Sequence, residues 1–256
     1  MTRIGILGAN GRMGRSLIRL IAASDDLVLS GAGVRAGNAL VGQDSGEALG
    51  IGHPLGVPLQ DSAQAVAEHS DVLIDFTLPA ALQENLLAAE RTATPMVIGT
   101  TGLDEEALAA LDATAMGLPI VFAANYSSGV TLLLRLAAIA SGALSADYDI
   151  AITEAHHRHK KDAPSGTALR LGEVVAKARD LEALDASVFQ SIRAGDIVGE
   201  HTVMLAADGE RIELTHRASS RDTFARGALR AAQWLLKQQT PGRYDMEDVL
   251  GLRGAG

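Results

Sequence analysis

The chain has 256 residues, 47% of them apolar, with a formal net charge of −9 and no cysteine. That is enough apolar material for one large or two modest domains, and the missing thiols exclude disulfides, cysteine zinc sites and cysteine nucleophiles. The acidic balance without a long basic tract argues against nucleic acid or an anionic membrane surface as partner.

Aromatic residues make up only 3% of the chain, so the core must be built from Ala, Leu, Ile and Val, a palette that suits helices packed on parallel strands. No apolar run reaches the roughly 18–20 residues needed to cross a bilayer. Met1 to Gly8 is too short for a signal-peptide core, so the expectation is a cytoplasmic protein.

In chain order, Arg3 to Leu7 reads as a strand, Arg12 to Ala23 as a helix and Leu27 to Val34 as a second strand ending beside Arg35. Asp61 and Ser62 lead into a capped helix reaching Ala67, Asp71 to Thr77 is a buried strand, and Pro79 begins the next helix. Pro95 to Gly99 and Pro119 to Ala123 are strands, separated by a helix whose first residues Asp104, Glu105 and Glu106 complement its positive end. Strands alternating with helices in this way predict βαβ units and a parallel sheet.

The second half has a different grammar. Val130 to Ala143 is an apolar helix, Asp147 to Ala155 a strand and Thr167 to Ala178 a helix. Three strand-like runs follow, Val188 to Ala194, His201 to Ala206 and Arg211 to His216, with Asp208-Gly209 as a tight turn, which predicts antiparallel hairpins. Phe224 to Gln239 is a final helix, and the change of grammar between Tyr126 and Gly129 marks a domain boundary.

Gly8-Ala9-Asn10-Gly11-Arg12-Met13-Gly14 follows the first strand and opens the first helix. Glycines allow the tight turn, and the helix N-terminus offers free N–H groups to a phosphate. An ordinary strand-to-helix turn is the competing reading, since a glycine-rich turn alone is a weak signal. Its place at the head of several βα units favours a dinucleotide site of the Rossmann type. At the end of the second strand, where NAD-specific sites carry an acid, the residues are Gly33-Val34-Arg35, with Asp44 the nearest acid downstream. An arginine without a carboxylate suits the 2′-phosphate of NADPH, with NADH as the alternative; the competing reading of Arg35 is a merely solvated side chain.

His156-His157-Arg158-His159-Lys160-Lys161 places six cationic or imidazole groups in succession in an acidic protein, and Ser165-Gly166-Thr167 then precedes a helix. A substrate with two carboxylates would offset the mutual repulsion of this patch, and a helix N-terminus with hydroxyls is fit to grip a carboxylate. Histidine and lysine can also supply the proton that accompanies a hydride. A solvated loop, a metal site on the histidines with only Glu154 and Asp162 nearby to assist, and a phosphate or RNA patch are the competing readings; of these the first is the strongest.

These segments resemble the dihydrodipicolinate reductase family. The matching stretches are Gly8 to Gly14, Asp75-Phe76-Thr77, Gly99-Thr100-Thr101-Gly102, Ala123-Ala124-Asn125-Tyr126-Ser127, Glu154 to Thr167, and Ala194 to Thr202. They cover nearly the full length in order, and the histidine-lysine run leading to Pro-Ser-Gly-Thr is the most specific of them. The resemblance implies an α/β protein with a Rossmann-type dinucleotide-binding domain over residues 1–126, on which the tail 237–256 packs back. It also implies an α+β substrate-binding and oligomerisation domain with a mixed open sheet over 127–236. The implied activity is NAD(P)H-dependent reduction of 4-hydroxy-tetrahydrodipicolinate, in lysine and diaminopimelate biosynthesis, by a homotetramer without a metal.

In that reading His156 would be the proton donor or acceptor and Lys160 the second proton donor, and His157, Ser165, Gly166 and Thr167 would bind the substrate. Gly8, Ala9, Asn10, Gly11, Arg12 and Met13 would hold the pyrophosphate, and Arg35 the adenosine end. Gly99, Thr100, Thr101, Ala123, Ala124, Asn125 and Tyr126 would line the nicotinamide side. Two departures stand out: Val34 occupies a position where many members carry an acid, and the glycine- and arginine-rich loop usual between Asp180 and Ser191 is missing. A related imine or amino-acid reductase, and a catalytically silent dinucleotide sensor, are the alternatives; a sensor has no need of a proton donor.

Overall fold

In the first half of the chain the central strands carry apolar side chains on both faces, because their side chains alternate between two buried layers. Val72, Ile74, Val97 and Val121 face one core with Ile4, Ile6, Leu17 and Ile18. Leu73, Met96, Ile98 and Ile120 face the other with Leu82, Leu86 and Leu111. The computed structural model, which describes residues 1–253, divides the chain into two compact units, Met1–Tyr126 together with the segment from Phe224 onward, and Ser127–Thr223.

The first unit runs β1 (Thr2–Leu7), α1 (Arg12–Ala22), β2 (Leu27–Gly33), α2 (Ser45–Ala48), β3 (Leu59–Gln60), α3 (Ala63–Ala67), β4 (Val72–Asp75), α4 (Leu82–Thr92), β5 (Met96–Ile98), α5 (Glu105–Ala115) and β6 (Pro119–Phe122). Pro79 opens a single 3-10 turn, Pro79–Ala81, ahead of α4. Among the described residues these strands form one sheet in the order β11-β6-β5-β4-β1-β2-β3, where β11 is Gly242–Tyr244, and every pairing in it is parallel. Helix caps agree with the local sequence: Ser62 accepts from Ala65 N–H and Asp104 from Ala107 N–H.

The second unit contains α6 (Ser128–Ala143), β7 (Asp149–His156), α7 (Gly166–Ala178), β8 (Phe189–Arg193), β9 (Gly199–Ala207) and β10 (Glu210–Ala218). Its sheet has the order β10-β9-β7-β8. β9 and β10 form the hairpin expected at Asp208-Gly209, and β7 pairs antiparallel with β9. β8 departs from the hairpin expectation, since it lies parallel to β7. The chain reaches it through α7, and a strand-helix-strand crossover returns in the same direction. Ile152, Val203 and Leu205 of this sheet pack on Leu133, Ala137, Ala168, Leu171 and Val175 of α6 and α7.

The helix expected at Phe224 to Gln239 is α8 (Asp222–Leu235), and it corrects the expected boundary at 236. From Phe224 onward it belongs to the first unit, where Ala225, Ala228, Ala231, Ala232 and Leu235 pack with Ile4, Leu17 and Ile18. An amphipathic helix shows in its own sequence which face is buried but not which sheet buries it. After it, β11 pairs with β6, and α9 (Met246–Leu250) buries Met246 and Val249 in the same core. Of the tail expected at 237–256, residues 254–256 lie outside the described residues. Among the described residues no helix is long and apolar enough to cross a membrane.

Candidate active site

On β7 the inward positions Ile150 and Ile152 give way to Glu154 and His156, because side chains two apart share a face of a strand. The registers place Glu154 opposite His201 on one side and Ser191 on the other, and His216 opposite His201. The apolar inner face of the sheet thus ends in a polar row, at the end where Ser127 and Ser165 cap α6 and α7.

Glu154 is the centre of that row. Its carboxylate is buried, 1% exposed, with His156 Nδ1 at 2.5 Å. It accepts both Arg193 terminal nitrogens, at 2.8 and 2.6 Å, and Ser165 N–H at 3.3 Å. Burial by itself would raise its pKa; hydrogen bonds from Arg193, Ser191 and His156 overcome this and bring it down to about 2. Arg193 also donates to Asp162 O at 2.6 Å, and Lys160 Nζ pairs with the Asp162 carboxylate at 2.8 Å. The cationic loop is therefore tethered at Asp162 to the same buried ion pair. His157, next to His156, is kept toward its neutral form by burial and by Arg221, His159, His156 and Lys160.

At the start of α7 the expected roles divide. Ser165 is 2% exposed; its hydroxyl accepts Ala168 N–H at 3.2 Å and meets His201 Nε2 at 3.1 Å. This makes Ser165 a helix cap rather than the expected substrate hydroxyl. Gly166 is exposed with open space beside it, and Thr167 is half-buried. Both lie in the first turn, where backbone N–H groups lack intrahelical acceptors.

His201 was not singled out by sequence. It is 4% exposed, and its Nδ1 is buried without a protein partner among the described residues. Burial first, then the neighbouring His156, lower its pKa to about 4. A histidine depressed in the fold is neutral there and takes up a proton more readily when unfolded, so the stability it contributes is present above about pH 6.5 and lost toward pH 4. We expect the unfolding free energy from urea titrations to fall across that window, by at most about 3–4 kcal/mol from this group. His201→Asn should flatten that limb, while the fall below pH 4.5 from Glu154, whose pKa of about 2 acts in the lower window, persists. An unchanged limb in His201→Asn would remove the assignment. His216, lowered by burial, works in the same direction.

In the first unit, the expected dinucleotide residues line up after the C-terminal ends of β1, β2, β5 and β6, where open α/β sheets bind ligands. Gly8 has φ +83°, and a Cβ on it would stand 2.6 Å from Phe76 O, so no other residue fits the turn. Gly8 and Ala9 N–H both donate to Gly33 O, at 3.0 and 2.8 Å. Gly11 is the N-cap of α1 and brings no side-chain cap. A bare, glycine-lined helix N-terminus fits a pyrophosphate. Arg35 is exposed directly after β2. Asp44 cannot serve as a ribose acid, because it accepts N–H groups of its own loop, from Gly46, Glu47, Leu55 and Gly56.

Gly99 N–H donates to Asp75 O at 2.8 Å, and Thr100 Oγ1 donates to the Asp75 carboxylate at 3.2 Å. Asp75, another residue without a role assigned from sequence, is fully buried; burial raises its pKa against hydrogen bonds from Thr77, Asn85 and Thr100. Thr101 and Ala124 are exposed, and Ala123 and Asn125 half-buried. Tyr126 differs from expectation: it is 1% exposed, and its hydroxyl donates to Ile98 O and Val121 O at 2.8 and 3.1 Å. Its side chain is core and cannot grip a cofactor. Among the described residues, no group of three or more histidine, aspartate or glutamate side chains is placed to hold a metal ion.

Residues 2–126 match the family model described as dihydrodipicolinate reductase, N-terminus, and residues 129–250 the one described as its C-terminus. A 4-hydroxy-tetrahydrodipicolinate reductase of Alkalilimnicola ehrlichii is 54% identical over 267 residues, covering 98% of this chain and 99% of the relative. One from Chromohalobacter salexigens is 50% identical over 271 residues, covering 99% of this chain and 100% of the relative. The solved structure of dipicolinate-bound dihydrodipicolinate reductase from Paenisporosarcina sp. TG-14 shares the fold, with a TM-score of 0.78 at 22% identity over 96% of this chain and 97% of that one.

Proposed function

The chain belongs to the dihydrodipicolinate reductase family, and from that premise we propose that it reduces 4-hydroxy-tetrahydrodipicolinate to tetrahydrodipicolinate, a step of lysine and diaminopimelate biosynthesis. The observation that carries the reading is His156, anchored through Nδ1 to a buried carboxylate beside the first turn of α7. When bound, the reduced nicotinamide supplies the hydride. The chain's own residues supply the rest. With Nδ1 committed to Glu154, Nε2 of His156 is the atom left to deliver a proton, and Lys160 is the second donor. Gly166 and Thr167 offer backbone N–H groups to one substrate carboxylate, and His157 and Lys160 offset the charge of the dicarboxylate.

The test is oxidation of the reduced dinucleotide, followed by absorbance, with the hydroxylated substrate generated in situ. Rapid oxidation supports the reading. Tight dinucleotide binding without turnover would overturn it and point to a sensor.

NADPH is the proposed cofactor. Support comes from the exposed Arg35 after β2 and from Asp44 being engaged by its own loop. Arg35→Ala should weaken NADPH binding by about tenfold or more, as loss of a charge-assisted phosphate contact implies. NADH binding should change by less than about twofold by the same argument, since NADH lacks the 2′-phosphate. Calorimetric Kd values for both nucleotides check this, and equal losses would sink the assignment. We further propose a cytoplasmic homotetramer. Met204, Ala151 and Ile192, on the sheet face turned away from α6 and α7, are half-buried to exposed and give an assembly surface.

A further inference from the structure

We propose that Glu154 is the positioning residue of the proton-donating site, orienting His156 through Nδ1 while Arg193 locks the carboxylate in place; this rests on the reading of His156 as proton donor. Three observations meet in it. Glu154 reaches His156 from two residues away on the same face of β7, at 2.5 Å and in a buried setting. Arg193, brought alongside by the parallel pairing of β8 with β7, occupies both carboxylate oxygens and so fixes the plane of the carboxylate. The far ring nitrogen, Nε2, lies beside Gly199, where even a Cβ would approach to 3.1 Å.

The arrangement has a chemical consequence. An anionic acceptor at Nδ1 makes that nitrogen the donor in the neutral ring, so the lone pair and the exchangeable proton of the reaction fall on Nε2. A ring without this anchor rotates about χ2 and divides its protons between the two nitrogens. Arg193 also ties the Asp162 carbonyl, so one buried pair sets the root of the strand and the end of the loop carrying Lys160.

The experiment is a double-mutant cycle on the full chain with the hydroxylated substrate generated in situ. Glu154→Gln should lower kcat by about 10–100-fold, the usual loss on removing such an orienting group, with KM moved less. In a His156→Gln background the same change should lower kcat by less than about threefold, because residues acting as a unit are not additive. A merely structural role would lower kcat equally in both backgrounds, and that result overturns the proposal. Glu154→Gln leaves Arg193 without its anion, so Glu154→Asp is run alongside. It keeps the charge, withdraws the oxygens by one methylene, and should show the same cycle in a protein that melts cooperatively. Full activity in His156→Gln itself would overturn the proton-donor reading instead, an outcome visible before Glu154 is touched.

Discussion

The double variant His156→Gln, Lys160→Ala should lose about a thousandfold or more of the wild-type kcat, the range set by removing positioned acid-base groups. The two side chains have different direct partners, Glu154 at Nδ1 for His156 and Asp162 at 2.8 Å for Lys160, and neither substitution removes the Glu154–Arg193 pair that ties strand and loop together. Each single variant should therefore stay folded and lose part of the rate. Lys160→Ala should in addition raise KM for the dicarboxylate, since its ammonium group offsets substrate charge as well as donating. His156→Gln keeps a polar side chain of similar reach and should act mainly on kcat. Steady-state rates at saturating dinucleotide, with calorimetric binding of dipicolinate as a check that the site is intact, decide the matter. A double variant retaining more than about a tenth of the activity would place the proton source elsewhere.

Gly8→Ala should weaken dinucleotide binding by at least about tenfold and destabilise the protein by about 2–3 kcal/mol. Two effects combine there. The backbone sits at φ +83°, a left-handed region that alanine enters at a penalty of about 1 kcal/mol or more, and the new Cβ would stand 2.6 Å from Phe76 O and 3.0 Å from Phe76 C. Neither obstacle is a flexible side chain, so the turn itself must shift, and with it the N–H groups that Gly8 and Ala9 aim at Gly33 O. Gly37→Ala is the control, because Gly37 also has a positive φ, +73°, but nothing within 4 Å of its Cβ position. It should show the backbone penalty alone. Equal losses in stability and in nucleotide affinity for the two variants would mean that the close approach at Phe76 is irrelevant.

What could be read directly from the residues was what is encoded locally. Alternating apolar runs and helical stretches specify burial on both faces, so the parallel sheet of the first half was legible, and so was the glycine turn, whose backbone demand sits within one strand and one helix. The run from His156 to Lys161 was legible because its charge density is a property of consecutive residues. Even so, the sequence by itself marks Glu154 only as an acid beside the histidines, although its position two residues before His156 on a strand already puts both on one face.

The tertiary structure decided what depends on distant pairing. Arg193 is 39 residues from Glu154, and His201 is 36 residues from Ser165; strand register brings the first pair together, and the packing of α7 on the sheet the second. The same holds for β8, whose direction follows from the crossover through α7, and for α8, whose alanine face matches the first unit's core. Tyr126 is the converse case. It falls in a stretch that reads as ligand-facing, yet its hydroxyl finds two backbone carbonyls in the core. Local chemistry tells which residues can act; the partners that orient them, or take them out of play, come from far along the chain, because burial and hydrogen-bond satisfaction are settled only when the sheets close.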